Sequence, residues 1–151
     1  MRRLVLAGVG LIAATASARA GEFKIDDIKA YLFLEKAGKL SDNIIGGPGL
    51  TDLPRGGAPN GDSASGVMLD FVFSGDKNSQ PKFAVASVDV TLVNRAGHPV
   101  VTHKAFANFA FGPDGVTHKA LFLENSTCLS VLIEVHAGKS TKDATIAFAC
   151  N

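Results

Sequence analysis

The sequence has no tryptophan, one tyrosine and two cysteines among 151 residues. Without tryptophan, the Cys, Trp and Cys signature of immunoglobulin domains is excluded. Two cysteines are too few for a disulfide-framework miniprotein or an all-cysteine zinc site. They are also too far apart for a redox C-x-x-C pair. Neither sign of charge dominates: fifteen basic residues stand against fourteen acidic ones. A nucleic-acid footprint, which needs a clustered basic excess, is therefore absent. Beyond the first twenty residues no apolar run approaches the ~20 residues needed to span hydrocarbon.

The chain begins with Met1-Arg2-Arg3, an apolar run from Leu4 to Ala16 and the small-residue string Ala18-Arg19-Ala20. This is the pattern of a secretory signal peptide over residues 1–20, cleaved between Ala20 and Gly21. The run is too short for a membrane anchor. Removing it leaves twelve basic and fourteen acidic residues, near −2. An exported chain with no membrane span, periplasmic or extracellular, is expected, with residues 21–151 as one domain.

Hydrophobicity then alternates in short runs. Lys24 to Leu34 reads as a strand. Residues 46–66 hold seven glycines and three prolines and read as a long loop without regular structure. From there Val67–Ser74, Lys82–Asn94, Pro99–Phe111, Val116–Glu124, Thr127–His136 and Lys142–Cys150 recur at all-β spacing. The apolar stripes Ala84 to Leu92, Val101 to Phe111, Val116 to Phe122, Leu129 to Val135 and Ala144 to Phe148 alternate in parity. Even-length turns at Arg95–His98, Gly112–Gly115, Asn125-Ser126 and Gly138–Thr141 would keep them on one face. The expectation is an all-β protein of about seven strands, an antiparallel β-sandwich or small barrel. Its C-terminal part is expected to be a five-stranded meander from Lys82 to Cys150, although hairpin turns are also compatible with a Greek-key order. The expected register pairs Leu92 with Val101, Phe109 with His118, His103 with Glu124 and Ile133 with Ile146. It also sets Asp89 against Lys104 and His136 against Asp143. The opposite face carries Phe83, Val85, Val93, Phe106, Leu121, Leu123 and Leu132, so part of it should be covered.

Cys128 and Cys150 in an exported chain are expected to form a disulfide. The four histidines do not gather into a metal site. His103 and His118 sit in the echoed strings Val101-Thr102-His103-Lys104-Ala105 and Val116-Thr117-His118-Lys119-Ala120. On the expected register they lie roughly 20 Å apart along the ladder. His103 beside Glu124 is the most chemical pair, because a carboxylate can orient an imidazole for acid–base work. No nucleophile accompanies it. Ile44-Ile45-Gly46-Gly47 has the look of a serine-protease amino terminus, and Gly61-Asp62-Ser63 of a nucleophile segment. They share one loop, no histidine precedes them, and a triad is defined by geometry. Gly138-Lys139-Ser140 joins strands instead of opening a helix, which a phosphate loop requires. Asn125-Ser126-Thr127 fits the glycosylation pattern but reads as a turn. No cofactor or metal is implied.

The functional expectation is a non-catalytic binding or interaction module with a protein or small-molecule partner, and no nucleic acid. Two alternatives stand beside it. One is a small hydrolase or isomerase using His103 and Glu124; the other is an envelope structural subunit assembled by strand addition.

Overall fold

The computed structural model describes residues 22–46, 50–53, 61–94 and 96–150, with the backbone alone at 50–53 and 149–150. The expected signal peptide lies outside the described residues. The strands are β1 (Lys24–Leu34), β2 (Lys39–Leu40), β3 (Leu50–Leu53), β4 (Val67–Ser74), β5 (Ala86–Val93), β6 (Pro99–Phe106), β7 (Val116–Leu123), β8 (Ser130–Ala137), β9 (Ser140–Ile146) and β10 (Phe148–Cys150). Eight of them form two packed four-stranded antiparallel sheets, in the orders β2-β1-β4-β7 and β6-β5-β8-β9. The protein is a β-sandwich. β3 and β10 add a short parallel pair. The 46–66 segment therefore does contain a regular element, contrary to the expectation from its glycines and prolines.

Alternation explains the core. Val67, Leu69, Phe71 and Phe73 of β4 point inward, as do Val88 and Val90 of β5 and Val131, Ile133 and Val135 of β8. Each large side chain so buried stabilises the fold by roughly 1.5–3 kcal/mol. In β1 the phase changes once: Ile25 is buried, and then Ile28, Ala30 and Leu32. A bulge between Ile25 and Asp27 makes that shift. Lys142 of β9 donates to the Asp26 carbonyl at the bulge and lies 3.5 Å from the Asp27 carboxylate, tying the two sheets at this corner.

The expected meander is not the strand order. β6 pairs only with β5, β7 pairs with β4 in the other sheet, and β8 returns to the far side of β5. Two local causes moved the register. The β5–β6 loop runs over residues 94–98, because Val93 pairs with Pro99. Asn94 Oδ1 accepts from the amides of Ala96 and His98, both at 3.0 Å, and draws Asn94 into the turn. An odd loop reverses parity. Leu92 thus faces Val100, and Asp89 faces His103 instead of Lys104. The β8–β9 turn is tighter than expected, pairing Ala137 with Ser140 around Gly138 and Lys139. That slip of two keeps the faces but pairs Ile133 with Ala144, Glu134 with Asp143, and His136 with Thr141.

Gly112–Gly115 is a turn, as expected, with the Gly112 amide bonded to the Val116 carbonyl at 3.2 Å. Its flanks belong to different sheets, so it joins β6 to β7 without pairing them. On β7 the inward residues are Leu121 and Leu123, opposite Leu69 and Val67, while Phe122 is half exposed. That is the reverse of the expected stripe. Val101, Ala105 and Ala107, also expected inside, are exposed.

A carboxylate clasp fixes the end of the long loop against the β1–β2 turn. Glu35 accepts from the hydroxyls of Ser65 (2.7 Å) and Ser63 (2.9 Å). Asp62 accepts from the amides of Lys36 (2.9 Å), Ala37 (3.2 Å) and Ser63 (2.7 Å). The Ser65 and Ser63 hydroxyls hold the Glu35 carboxyl below the usual carboxylate range, and the Lys36 amide, chiefly, does so for Asp62. A lowered folded-state pKa gives stability that is present at neutral pH and lost as pH falls through the folded value. The clasp should therefore open only as pH falls below the ordinary carboxylate range. Hydrogen exchange at Lys36, Ala37 and Ser63 measured from pH 6 down to 3 should show it, after correction for intrinsic rates. Unchanged protection across that range would contradict it.

Candidate functional site

The segment Ser79-Gln80-Pro81-Lys82-Phe83-Ala84-Val85 crosses one end of the sandwich and leads into β5. It is anchored at Ser79, whose carbonyl accepts from the Phe111 amide at 2.9 Å. It is anchored again at Ala84 and Ala86, which are buried. Between the anchors the chain bends outward. Phe83 adopts φ +64° and is 96% exposed. Both features are unfavourable. A left-handed backbone costs a residue with a Cβ roughly 1–2 kcal/mol, and a phenylalanine held in water gains nothing from burial. The other described non-glycine residues with positive φ are Asn78, Asn108, Asn125 and Cys128. Asparagine tolerates that conformation through local hydrogen bonding; phenylalanine does not. Nearby, the Ser79 hydroxyl is buried without a hydrogen-bond partner.

Behind this segment lies a phenylalanine cluster. Phe109 is buried and packs on Phe23 at 4.8 Å, on Phe73 at 5.0 Å and on Phe111 at 6.2 Å. Lys119 Nζ lies 5.1 Å from the Phe109 ring centre and donates to the carbonyls of Ala107 and Asn108. Lys119 thus braces the segment that follows β6. The 81–85 ridge stands between two open depressions, whose walls include Phe23 and Phe109 of this cluster. One, of about 900 Å³, is walled by Phe23, Asp76, Gly138 and Lys139. The other, of about 710 Å³, is walled by Ala107, Asn108, Phe109 and Ala110. Val85, 52% exposed, extends the apolar ridge.

The sequence-expected site residues are placed elsewhere. His103 and Glu124 are not cross-strand neighbours, because β6 and β7 lie in different sheets. Glu124 is exposed in the turn after β7. The carboxylate that His103 meets is Asp89, at 2.6 Å from Nδ1. The His103–Glu124 pair therefore falls with the register that produced it. His118 meets Asp70 in the same way, at 2.9 Å. The echoed Thr-His-Lys strings thus occupy equivalent places, each on an edge strand with its histidine bound to an aspartate of the adjacent inner strand.

Sequence reading also missed a hydroxyl, imidazole and carboxylate chain on the outer face of the second sheet. Thr141 Oγ1 lies 3.1 Å from His136 Nδ1, and His136 Nε2 lies 3.0 Å from Glu134 Oε1. With Nε2 protonated toward Glu134, Nδ1 accepts from the Thr141 hydroxyl. The order matches nucleophile, base and orienting group. It stands on an open sheet face, with the His136 and Glu134 side chains about half exposed. Water competes there for every one of these bonds.

The expected bridge between Cys128 and Cys150 falls partly outside the described residues, which exclude the Cys150 side chain. Among the described residues no cysteine is free. No group of three or more His, Cys, Asp or Glu among them is placed to hold a metal ion. No described helix is long and apolar enough to cross a membrane. No protein-family model matches the chain, and no curated protein matches its sequence.

Proposed function

We propose that this protein is an exported interaction module that engages a partner without catalysis, through the apolar ridge centred on Phe83. The observation that carries the reading is the pairing of two costs at one residue, a left-handed backbone and an almost fully exposed aromatic ring. Strain of this kind persists where the surrounding structure enforces it, and such residues concentrate at binding sites. An aromatic side chain held out between two depressions can also serve as an anchor that a partner's pocket desolvates.

Phe83→Asn tests this in one variant. Asparagine accepts the backbone conformation and leaves no cavity, because the ring packs on nothing. Thermal stability should stay level or rise by up to about 1 kcal/mol. Capture of the partner from the exported fraction of the native cell should fall by about 30-fold, the size of a ~2 kcal/mol anchor. A clear loss of stability would make Phe83 a folding residue instead. Equal capture by both proteins would remove it from binding.

Export is part of the same proposal and is supported by the amino-terminal pattern. Peptide mapping of the mature protein without reduction should find Gly21 as the first residue and a Cys128–Cys150 crosslink. An intact Met1 would contradict export, and full thiol labelling after unfolding would contradict the crosslink.

A further inference from the structure

Lysine recurs at one kind of position in three edge strands. Lys104 of β6 pairs with Val88, Lys119 of β7 with Phe71 and Lys142 of β9 with Val135. All three partners are fully buried, so each lysine lies on the stripe that faces the interior. An inward charge on an edge strand ordinarily discourages a further strand. Two of these lysines do something more specific. Lys119 donates to the carbonyls of Ala107 (3.1 Å) and Asn108 (3.3 Å), and Lys142 donates to the carbonyl of Asp26. Each fastens a segment of the chain against its own strand. Lys104 has the same placement and, among the described residues, no hydrogen-bond or ion-pair partner. β6 is exposed at every position before Phe106, with Val100 62% and Val101 63% exposed on opposite faces. Its outer edge pairs with no other described strand.

We propose that β6 is the docking edge for an extended, acidic segment of a partner protein, which pairs with Pro99–Phe106 and supplies the groups that Lys104 lacks. The inference rests on the reading of the protein as an interaction module, but not on Phe83. Charge selects the occupant. β6 carries Lys104 and no carboxylate, and its His103 is already met by Asp89 of β5. A second copy added about a two-fold axis would bring two such strands together, setting like charges close across the new ladder. An acidic strand sets opposite charges there. Main-chain pairing would supply affinity, and the Lys104 contact would supply specificity. Beyond Phe106 the chain runs through Ala107–Ala110, the wall of the smaller depression beside Phe83, so an added strand leads to the ridge.

The test uses the full mature chain and two short peptides of alternating threonine and valine. One carries glutamate at alternate positions and the other lysine at the same places. Amide exchange is read by NMR. The acidic peptide should slow exchange of alternate amides within residues 100–106 at a concentration about ten-fold below that needed for the basic one. Lys104→Glu should reverse that preference, and Phe83→Asn should leave it unchanged. Retained protection in Phe83→Asn separates the strand edge from the ridge, so either idea can fail alone. Equal action of the two peptides, protection by neither, or protection that grows with protein concentration alone would overturn the proposal.

Discussion

Replacing Ile133 by aspartate is expected to leave no folded protein at room temperature. Ile133 is in the middle of β8, 2% exposed, with buried Val90 beside it on β5. The substitution removes a burial contribution of roughly 1.5–3 kcal/mol. It also places a carboxylate among buried apolar side chains, with the nearest inward lysine, Lys142, already bonded to the Asp26 carbonyl, and this costs several kcal/mol more or forces its protonation. Together these rival the ~5–15 kcal/mol that holds an ordinary domain together. The neighbouring residue is the control. Leu132 is on the opposite face of the same strand and 45% exposed, so Leu132→Asp should shift stability by less than about 1 kcal/mol. Circular dichroism and urea unfolding of the pair decide it. A folded Ile133→Asp variant, or equal losses in both, would mean that the pleat of β8 is misassigned.

That contrast was legible in the sequence because β8 sets Val131, Ile133 and Val135 on one stripe against Ser130, Glu134 and His136 on the other, where Leu132 is the single large apolar residue. The inward faces of β5 and β9 were legible in the same way. β6 and β7 were not legible, for a physical reason. Both are edge strands with mixed faces: in β7, Phe122 competes with Leu121 and Leu123, and Lys119 sits on the inner stripe. Burial decides register only where one face is plainly more apolar. With that signal weak, one extra loop residue, Asn94, was enough to turn β6 over. The His103–Glu124 pair depended on that register, whereas Asp89 as the true partner of His103 depended on the loop being odd. Asp62 and Ser63, which looked like part of a protease string, belong to the clasp with Glu35 and Lys36. Phe83 was visible only as one of several apolar residues on a face that needed a cover. Phe106, Leu121 and Leu123 of that group did turn inward, while Phe83, Val85 and Leu132 stayed exposed. A phenylalanine at positive φ leaves no mark in composition or periodicity, because the conformation is one its residue type disfavours.

The second large effect is expected at Gly115, where the sequence showed a turn but not what the turn touches. Gly115 has φ +80°, and a Cβ there would come within 2.8 Å of the Gly75 carbonyl oxygen. That oxygen belongs to backbone and has no side-chain freedom with which to retreat. The Gly75 amide is itself bonded to the Gly115 carbonyl at 3.0 Å, and the Asn78 amide to the Gly112 carbonyl at 3.0 Å. The turn before β7 is thus laced to the segment that follows β4. With the Phe111 amide bond to the Ser79 carbonyl and the Lys119 bonds, these contacts hold the β6–β7 crossover between the sheets. Gly115→Ala adds left-handed strain of about 1–2 kcal/mol, and relief of the clash must lengthen at least one of those bonds, at about 1 kcal/mol each. A loss of about 2–4 kcal/mol is expected. Gly97 makes the comparison sharp. Its φ is +78°, but a Cβ there meets nothing within 4 Å, so Gly97→Ala should lose only the strain. Chemical unfolding of the two alanine variants measures the difference directly. If Gly97→Ala proves as destabilising as Gly115→Ala, the close approach to Gly75 contributes nothing and the crossover is held in some other way.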